Sequence, residues 1–394
     1  MASLQSSQTV EFSLVTGGPL YRLWQRTGLC GDELQFVRRR ILCVIAITWL
    51  PLLLLSVAEG HAWFGVVLPF LQDVETQLRL LVAVPLLLWA ELRVGRELPK
   101  LVRRFVLEGV ITDAVRPQFD AVVASAVRLR NSVTAEVLLV VFVYGVGVPF
   151  VWGDQVALDV NSWYATAMDG RLHPWLAGWW AGLVAMPIVQ FLFLRWYWRL
   201  FIWGRFLWQV SRLDLKLEPM HPDGAAGLHF LAFVDRTFRP LLLALGTVLA
   251  GMMANRIFYT NGKLLDFKVE IAGTVMLLVF AILGPLVAFW PAMRAARRRG
   301  LDDYGRLGQR YANEFERKWM HDGATDEPLL GSADIQSLAD LRNGFLVIDG
   351  ISWVPFGIKN VIWLAVATLI PVAPLLLTTF SVEELLDRVL KVVF

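Results

Sequence analysis

Three charged residues lie where a membrane-spanning helix is normally uncharged. Glu91 lies near the end of one apolar run, and Arg195 and Arg199 follow another among aromatic residues. A charge at bilayer depth costs on the order of 2.5–3.5 kcal/mol, so it usually faces a partner or a cavity. For Glu91, two interpretations stay open. It is part of a functional site inside the membrane, or it forms an ion pair with Arg93 or Arg96 at the membrane surface. The two arginines bind a headgroup or another anion, or they are snorkelling anchors in an aromatic belt.

A second candidate is a proline-containing connection with His221, Asp223 and His229. Joined by Asp235, these residues could form a metal or proton-handling cluster, because imidazole and carboxylate groups are common metal ligands. The alternative is a turn in which Asp223 caps the following helix. The spacing is not that of a zinc site, so we favour the cap and predict neither a metal nor a cofactor.

A third candidate group lies in and before the last apolar run. Its members are Lys359, Asn360, Thr368, Pro371, Pro374 and Thr378. A helix that combines prolines, hydroxyls and an amide is poorly suited to plain lipid contact, so we predict that it lines or gates a water-filled path. An ordinary packed helix is the alternative. Asn255 and Arg256 close the fifth apolar run, where we expect them to bind Asp266 or Glu270.

The composition excludes several classes of protein. Of the 394 residues, 56% are hydrophobic and 18% are charged, with 17 Trp and 24 Phe. Soluble domains are about 45–50% apolar and about 25% charged, so this is not an ordinary soluble protein. Two cysteines exclude a disulfide scaffold, and a net charge of +3 argues against a nucleic-acid partner. The lipid bilayer is therefore the expected surrounding.

The apolar runs predict an all-α membrane protein with seven spans, because about 20 apolar helical residues cross a bilayer. The predicted spans are residues 41–58, 78–95, 134–152, 175–194, 240–254, 271–289 and 361–379. If the N-terminus is cytoplasmic, 29 of the 37 Lys and Arg residues lie in cytoplasmic regions. Basic residues favour the cytoplasmic side, so we predict an N-in, C-out topology.

The connections between the spans are predicted to be helical. The chain divides into a cytoplasmic segment 1–40, spans 41–97, cytoplasmic helices 98–132, spans 133–212, a connection 213–239, spans 240–293, a cytoplasmic bundle 294–348, the last span 349–379 and an external amphipathic helix 380–394. Mixed apolar and polar positions in 304–319 and 332–345 favour amphipathic helices. These are expected to pack in a bundle that assembles subunits.

The chain shows no recognisable enzyme motif. It has no phosphate-binding loop, no Gly-x-Ser-x-Gly elbow and no His-Glu-x-x-His pair. None of its five histidines lies within a predicted span. An enzymatic activity is therefore less expected than a binding or transport function, although the sequence leaves it open.

Three stretches, residues 221–228, 297–304 and 331–341, resemble recurring blocks of an uncharacterised family of bacterial inner-membrane proteins. That resemblance implies a bacterial inner-membrane location. In topology alone, the predicted plan is similar to the insect odorant and gustatory receptor channels. That similarity implies a tetramer assembled through cytoplasmic extensions, with the seventh helices lining the pore.

The leading hypothesis is therefore an oligomeric channel that conducts ions or small solutes. A homo-tetramer is the favoured assembly, and a ligand of unknown identity could gate the channel. The alternative is a membrane enzyme or lipid-handling protein that uses Glu91, Arg195, His221 and Asp223 at the cytoplasmic rim.

Overall fold

The computed structural model describes residues 12–29, 36–149, 161–168, 171–260, 262–320 and 332–378, and these are predominantly helical. The described helices are α1 Pro19–Arg26, α2 Val37–Ala58, α3 over residues 74–107, α4 Arg116–Arg130, α5 Val133–Gly147, α6 Leu176–Val210, α7 His229–Tyr259, α8 Leu264–Trp319, α9 Ala333–Asp349 and α10 Ile358–Thr378. The predicted external helix 380–394 and Thr379 lie outside the described residues.

Five of these helices, α2, α6, α7, α8 and α10, are long and apolar enough to cross a membrane. Helices α4 and α5, bent by 42° at their junction, form a sixth candidate if they are counted as one span. The structure thus supports a multi-pass membrane protein with five or six candidate spans. Helix α3, which contains the second predicted span, does not reach that count because charged residues crowd its second half.

Local sequence sets where several helices begin. Asp73 caps α3 by accepting a hydrogen bond from the Thr76 amide at 3.0 Å. Ser132 caps α5 through the Ala135 amide, and Ser332 caps α9 through the Asp334 amide, each at 3.2 Å. Short polar side chains satisfy amides that a helix leaves without partners in its first turn. The amphipathic helix predicted over residues 332–345 is present as α9, and Ser332 is its N-cap.

Helix α7 is the centre of the bundle and packs against α3, α8 and α10. Small residues permit the closest approaches. A side chain at Gly246 would collide with the Thr368 carbonyl of α10, and one at Gly251 would lie 3.0 Å from the Glu75 Cα of α3. Such contacts replace the missing hydrophobic drive between helices in lipid.

The prediction of an all-α chain needs one correction. Strands β1 (Ala165–Met168) and β2 (Arg171–Pro174) pair antiparallel, with Ala165 opposite Pro174 and Met168 opposite Arg171. Just before β1, Trp163 is buried and donates its indole N–H to Asp73 at 2.9 Å. The connection before α6 is therefore attached to the start of α3.

Helix α8 continues far beyond a bilayer. Its 56 residues extend roughly 80 Å at about 1.5 Å per residue, whereas the hydrocarbon core is about 30 Å thick. The second half of α8 pairs with α9. Asp334 of α9 accepts hydrogen bonds from Trp319 at 3.1 Å and binds Lys318 at 2.9 Å. The bonds from Lys318 and Trp319 lower the pKa of Asp334.

Candidate functional site

Four of the helices bring buried charged residues together in one cluster. Arg40 begins the second turn of α2, Glu91 lies in the middle of α3, Glu136 is in the first turn of α5, and Arg195 and Arg199 are one turn apart on α6. All five are buried. We call them the arginine cluster.

Glu91 is the centre of the arginine cluster. Its Oε2 lies 3.1 Å from Arg40 Nη1, and its Oε1 lies 3.2 Å from Arg195 Nη1 and 2.8 Å from Arg199 Nη1. One carboxylate thus contacts three guanidinium groups from two other helices. Burial of each charge is tolerable only because opposite charges surround it.

Glu136 is the second carboxylate of the arginine cluster. Its Oε1 lies 3.4 Å from Arg195 Nε, and its Oε2 accepts a hydrogen bond from the Leu20 amide at 2.9 Å. Gly18, at φ +88°, passes so close that a Cβ there would lie 3.0 Å from Glu136 Oε1. Glycine suits both the left-handed conformation and the close approach.

The arginine cluster carries more positive than negative charge. It holds three guanidinium groups against two carboxylates, and three of its buried donors, Arg40 Nε and Nη2 and Arg199 Nη2, have no hydrogen-bond partner among the residues that the structure describes. The Arg199 guanidinium also lies 4.9 Å from the centre of the Trp196 ring, which offers a weaker contact. Buried donors without partners and a surplus positive charge are the chemistry of an anion site.

A fourth arginine and the N-terminal segment 12–18 lie beside the arginine cluster. Arg130 Nη1 donates to the Ser13 carbonyl at 2.9 Å, and its other nitrogens bond to Asn131. Phe12 packs on Phe206 with ring centres 4.5 Å apart. Residues 12–18 therefore lie against the helices next to the arginine cluster, and one face of it is covered by protein.

An apolar cavity of about 290 Å³ lies next to the arginine cluster. Its lining residues are Leu20, Trp24, Val44, Ile47, Val140, Val143, Tyr144, Pro187, Ile188, Phe191 and Leu192. Val44 and Val140 lie one turn from Arg40 and Glu136 along their helices, and Leu192 lies one turn from Arg195. A helical turn rises about 5.4 Å, so the cavity begins within about that distance of the charges.

The cavity is open at the outer surface of the bundle, and π turns interrupt two of the helices around it. Tyr144 and Ile47 are exposed, so the cavity opens between α2, α5 and α6. Wide π turns occupy Val143–Gly147 of α5 and Ala181–Ala185 of α6, and the Tyr144 hydroxyl donates to the Leu183 carbonyl at 3.1 Å. Single π turns are often found at functional sites.

The structure decides between the alternatives for the three intramembrane charges. Glu91 does not pair with Arg93 or Arg96, which are exposed, and binds the arginine cluster instead. Arg195 and Arg199 are 5% and 2% exposed, so the interpretation as snorkelling anchors is wrong.

The sequence does not single out Arg40 and Glu136 as site residues. Arg40 belongs to the basic group before the first predicted span, and Glu136 lies near the start of the third. The available signal was their position within one turn of an apolar run, which places a charge inside the membrane boundary.

At Asp223 the structure favours the cap. One carboxylate oxygen accepts hydrogen bonds from the Ala225 and Gly227 amides at 2.8 and 3.1 Å, and the other accepts from the His229 amide at 3.0 Å. His221 Nδ1 lies 2.9 Å from Asp223. Burial raises the pKa of Asp223, but the hydrogen bonds outweigh it and lower the pKa below the ordinary value.

Asp235 does not join His221 and Asp223. It is buried in α7 and pairs with Arg239 at 2.6 Å. Within the described part of the chain, no group of three or more His, Cys, Asp and Glu residues could hold a metal ion.

The expected partners of Asn255 and Arg256 are wrong. Asn255 donates to Asp73 at 2.8 Å and accepts from the Glu75 amide at 3.3 Å, so it joins α7 to the start of α3. Asp266 instead accepts the Lys263 amide at 2.9 Å, and Arg256 is exposed.

The predicted pore residues occupy different surroundings. Lys359 is exposed, and Asn360 caps α10 at the Gly357 amide while donating to the Ala232 carbonyl of α7 at 3.2 Å. Thr368 is fully buried against α7 and bonds to the Leu364 carbonyl at 3.0 Å. The remaining three, Pro371, Pro374 and Thr378, lie in the final 3₁₀ segment Ile370–Thr378. Their role in a pore stays a prediction.

Comparisons with protein-family models, with curated proteins and with solved structures found no match to this chain.

Proposed function

We propose that this protein is a lipid-handling membrane protein that binds an anionic amphiphile, with its acidic head at the arginine cluster and its chain in the adjacent apolar cavity. The observation that carries the proposal is the surplus of buried guanidinium donors in the arginine cluster, whose Arg40 and Arg195 lie one helical turn from residues that line the cavity. An acid with a hydrocarbon chain matches both parts, because its head supplies the missing negative charge and its chain fills apolar space.

The geometry supports entry from the bilayer. Residues 12–18 cover one face of the arginine cluster, whereas the cavity opens between α2, α5 and α6 on the lipid-facing side of the bundle. A molecule already dissolved in the membrane reaches the cavity without crossing water. This favours a lipid or fatty acid over a soluble metabolite.

We further propose that α3 is an additional span, which gives seven. Its first half is buried in the bundle through Leu80, Val84, Leu87 and Leu88, and it packs on α7, itself a candidate span. The distribution of Lys and Arg then favours an N-in, C-out orientation. The resemblance of residues 221–228, 297–304 and 331–341 to a bacterial family supports a bacterial inner membrane as the location. A channel formed by several copies stays the second candidate, since Ile362, Trp363 and Val366 leave an apolar face of α10 uncovered within one chain.

The test compares two ligands that share a chain. The purified protein in a neutral detergent is titrated with oleate and with oleyl alcohol, and binding is measured by native mass spectrometry. We expect saturable oleate binding at least about tenfold tighter than oleyl alcohol binding, a difference of about 1.4 kcal/mol. Equal affinities would contradict recognition of the acidic head.

A matched pair of variants tests the cavity without touching a charge. Ile188→Trp fills the cavity, whereas Leu277→Trp adds the same bulk to an exposed position of α8. We expect Ile188→Trp to reduce oleate affinity at least about tenfold and Leu277→Trp to leave it unchanged. Loss in both variants, or in neither, would overturn the assignment of the cavity.

A further inference from the structure

A second cavity, of about 250 Å³, lies where α8 meets the loop before α10, apart from the arginine cluster. Its lining residues are Met293, Arg294, Arg297, Arg298, Leu301, Asp302, Ile351, Ser352 and Trp353. Three arginines face one carboxylate in this lining. The excess of guanidinium groups makes the cavity suited to an anion.

One arginine of this cavity is held rigidly. Arg297 donates through Nε and Nη2 to the Asp349 carbonyl at 3.1 and 3.0 Å, and Nη2 also contacts the Asp349 carboxylate. Its guanidinium lies 5.9 Å from the centre of the Trp353 ring. The loop is fixed in turn, because the Ser352 amide donates to the Gly224 carbonyl at 2.9 Å.

The other two arginines are available for a ligand. Arg294 and Arg298 are exposed, one turn apart on α8, and neither forms an ion pair with a carboxylate in the described ranges. The Arg294 guanidinium lies 5.4 Å from the centre of the Trp290 ring. Paired guanidinium groups on one helix face match the several oxygens of a phosphate group.

The cavity lies where α8 changes from an apolar to a basic sequence. Helix α8 has no basic residue from Val269 to Phe289, and then carries Arg294 and Arg297–Arg299. At this change, Trp290 and Trp353 stack with ring centres 6.4 Å apart, and both are partly exposed. Tryptophan concentrates at the boundary between hydrocarbon and headgroups, so this pattern is typical of a helix that leaves the hydrocarbon near Trp290.

We infer that this cavity binds a phosphate monoester group through Arg294 and Arg298, with Arg297 and Trp353 forming its fixed wall. The phosphate could belong to a lipid headgroup or to a soluble molecule, since both present the same oxygens. This inference does not depend on the proposed function, because no residue of the arginine cluster or of the first cavity takes part.

The experiment uses the full chain in neutral detergent and two probes, dihexanoyl phosphatidic acid and inorganic phosphate, with dissociation constants from native mass spectrometry or calorimetry. We expect saturable binding of phosphatidic acid, weakened at least tenfold in the double variant Arg294→Gln, Arg298→Gln. The control Arg299→Gln removes a neighbouring exposed charge outside the cavity, and we expect its affinity to stay within twofold of wild type.

Each outcome decides the inference. Tight binding of phosphatidic acid alone supports a lipid source, and equally tight binding of inorganic phosphate supports a soluble one. Equal losses in the double variant and in Arg299→Gln indicate general attraction by basic residues and overturn the site, as does the absence of saturable binding by either probe.

If the double variant fails to fold, Arg294→Lys with Arg298→Lys keeps the charge, and a tenfold loss there still supports paired guanidinium contacts. Ile188→Trp leaves phosphate binding unchanged.

Discussion

At the scale of single residues, Glu91 explains how three arginines are tolerated inside the bundle. Its two oxygens contact Arg40, Arg195 and Arg199 at 2.8–3.2 Å, and its removal leaves three buried cations with only Glu136 beside them. Loss of one partner of a buried ion pair costs about 3–5 kcal/mol. Glu91 therefore governs folding as well as the charge presented to a ligand.

We predict that Glu91→Gln lowers the free energy of unfolding by about 3 kcal/mol or more, measured by denaturant titration in detergent micelles. The matched control is Glu97→Gln on the same helix, where the ion pair with Lys100 is 41% and 68% exposed. Exposed pairs contribute little, so the control should change stability by less than about 0.5 kcal/mol. Similar effects in both variants would contradict the central place of Glu91.

Asp223 gives a prediction about pH. Its folded-state pKa lies below the ordinary value, so its contribution to stability is present above that ordinary value and is lost as the pH falls through the folded pKa. We expect Asp223→Asn to be less stable than wild type at pH 7 by about 1 kcal/mol and to lose less stability on acidification below pH 4. Parallel stability curves for the two proteins would contradict this role.

At the scale of helices, close packing by glycine joins the last helix to the centre of the bundle. Gly246 of α7 lies against the Thr368 carbonyl of α10, so no side chain fits between the two backbones. This contact fixes α10 beside α7, while the π turns of α5 and α6 shape the cavity on another side of the bundle.

We predict that Gly246→Ala separates α7 from α10 and lowers the melting temperature in detergent, because the added methyl group collides with backbone. Gly273→Ala on α8 is the control, since a Cβ there meets nothing within 4 Å. Alanine favours helix over glycine by up to about 1 kcal/mol, so the control should be neutral or slightly stabilising. A neutral Gly246→Ala would contradict the close packing.

At the scale of the whole molecule, orientation can be measured by labelling. The background variant has Cys30 and Cys43 replaced by serine, and single cysteines are then introduced as Lys263→Cys or Ser337→Cys. Lys263 lies in the connection between α7 and α8, Ser337 lies on α9, and both positions are exposed. We expect a membrane-impermeant thiol reagent to label position 263 in intact cells and position 337 only after the cells are opened. The reverse pattern would contradict the N-in orientation.

Subunit number separates the two candidate functions. The prediction of a homo-tetramer is checked by light scattering, which should give about four times the 44.5 kDa chain mass. In a tetrameric channel, Lys359→Ala and Asn360→Ala should change conductance, whereas Lys263→Ala on the opposite side should not. A monomer would remove the central pore and leave lipid binding as the only candidate.

The class of molecule and much of its helical plan follow from the amino-acid sequence alone. Long apolar runs must become helices in a membrane, because only a helix satisfies every backbone hydrogen bond within one segment. Residue spacing also placed the start of α9 at Ser332 and indicated a cap at Asp223, since these depend on neighbours within a few positions.

Which charged residues form ion pairs depends on how the separate helices pack. Glu91 forms ion pairs with Arg40 and Arg195, which are separated from it by 51 and 104 positions in the chain. The distance between side chains on separate helices cannot be read from the sequence. For the same reason, the sequence did not indicate Arg40 and Glu136 as site residues or Asp73 as the partner of Asn255. The two cavities are likewise formed by residues from separate parts of the chain. Helix caps and apolar runs depend on neighbouring residues and can be predicted from sequence. A site built from several helices depends on the relative orientation of those helices in the packed bundle.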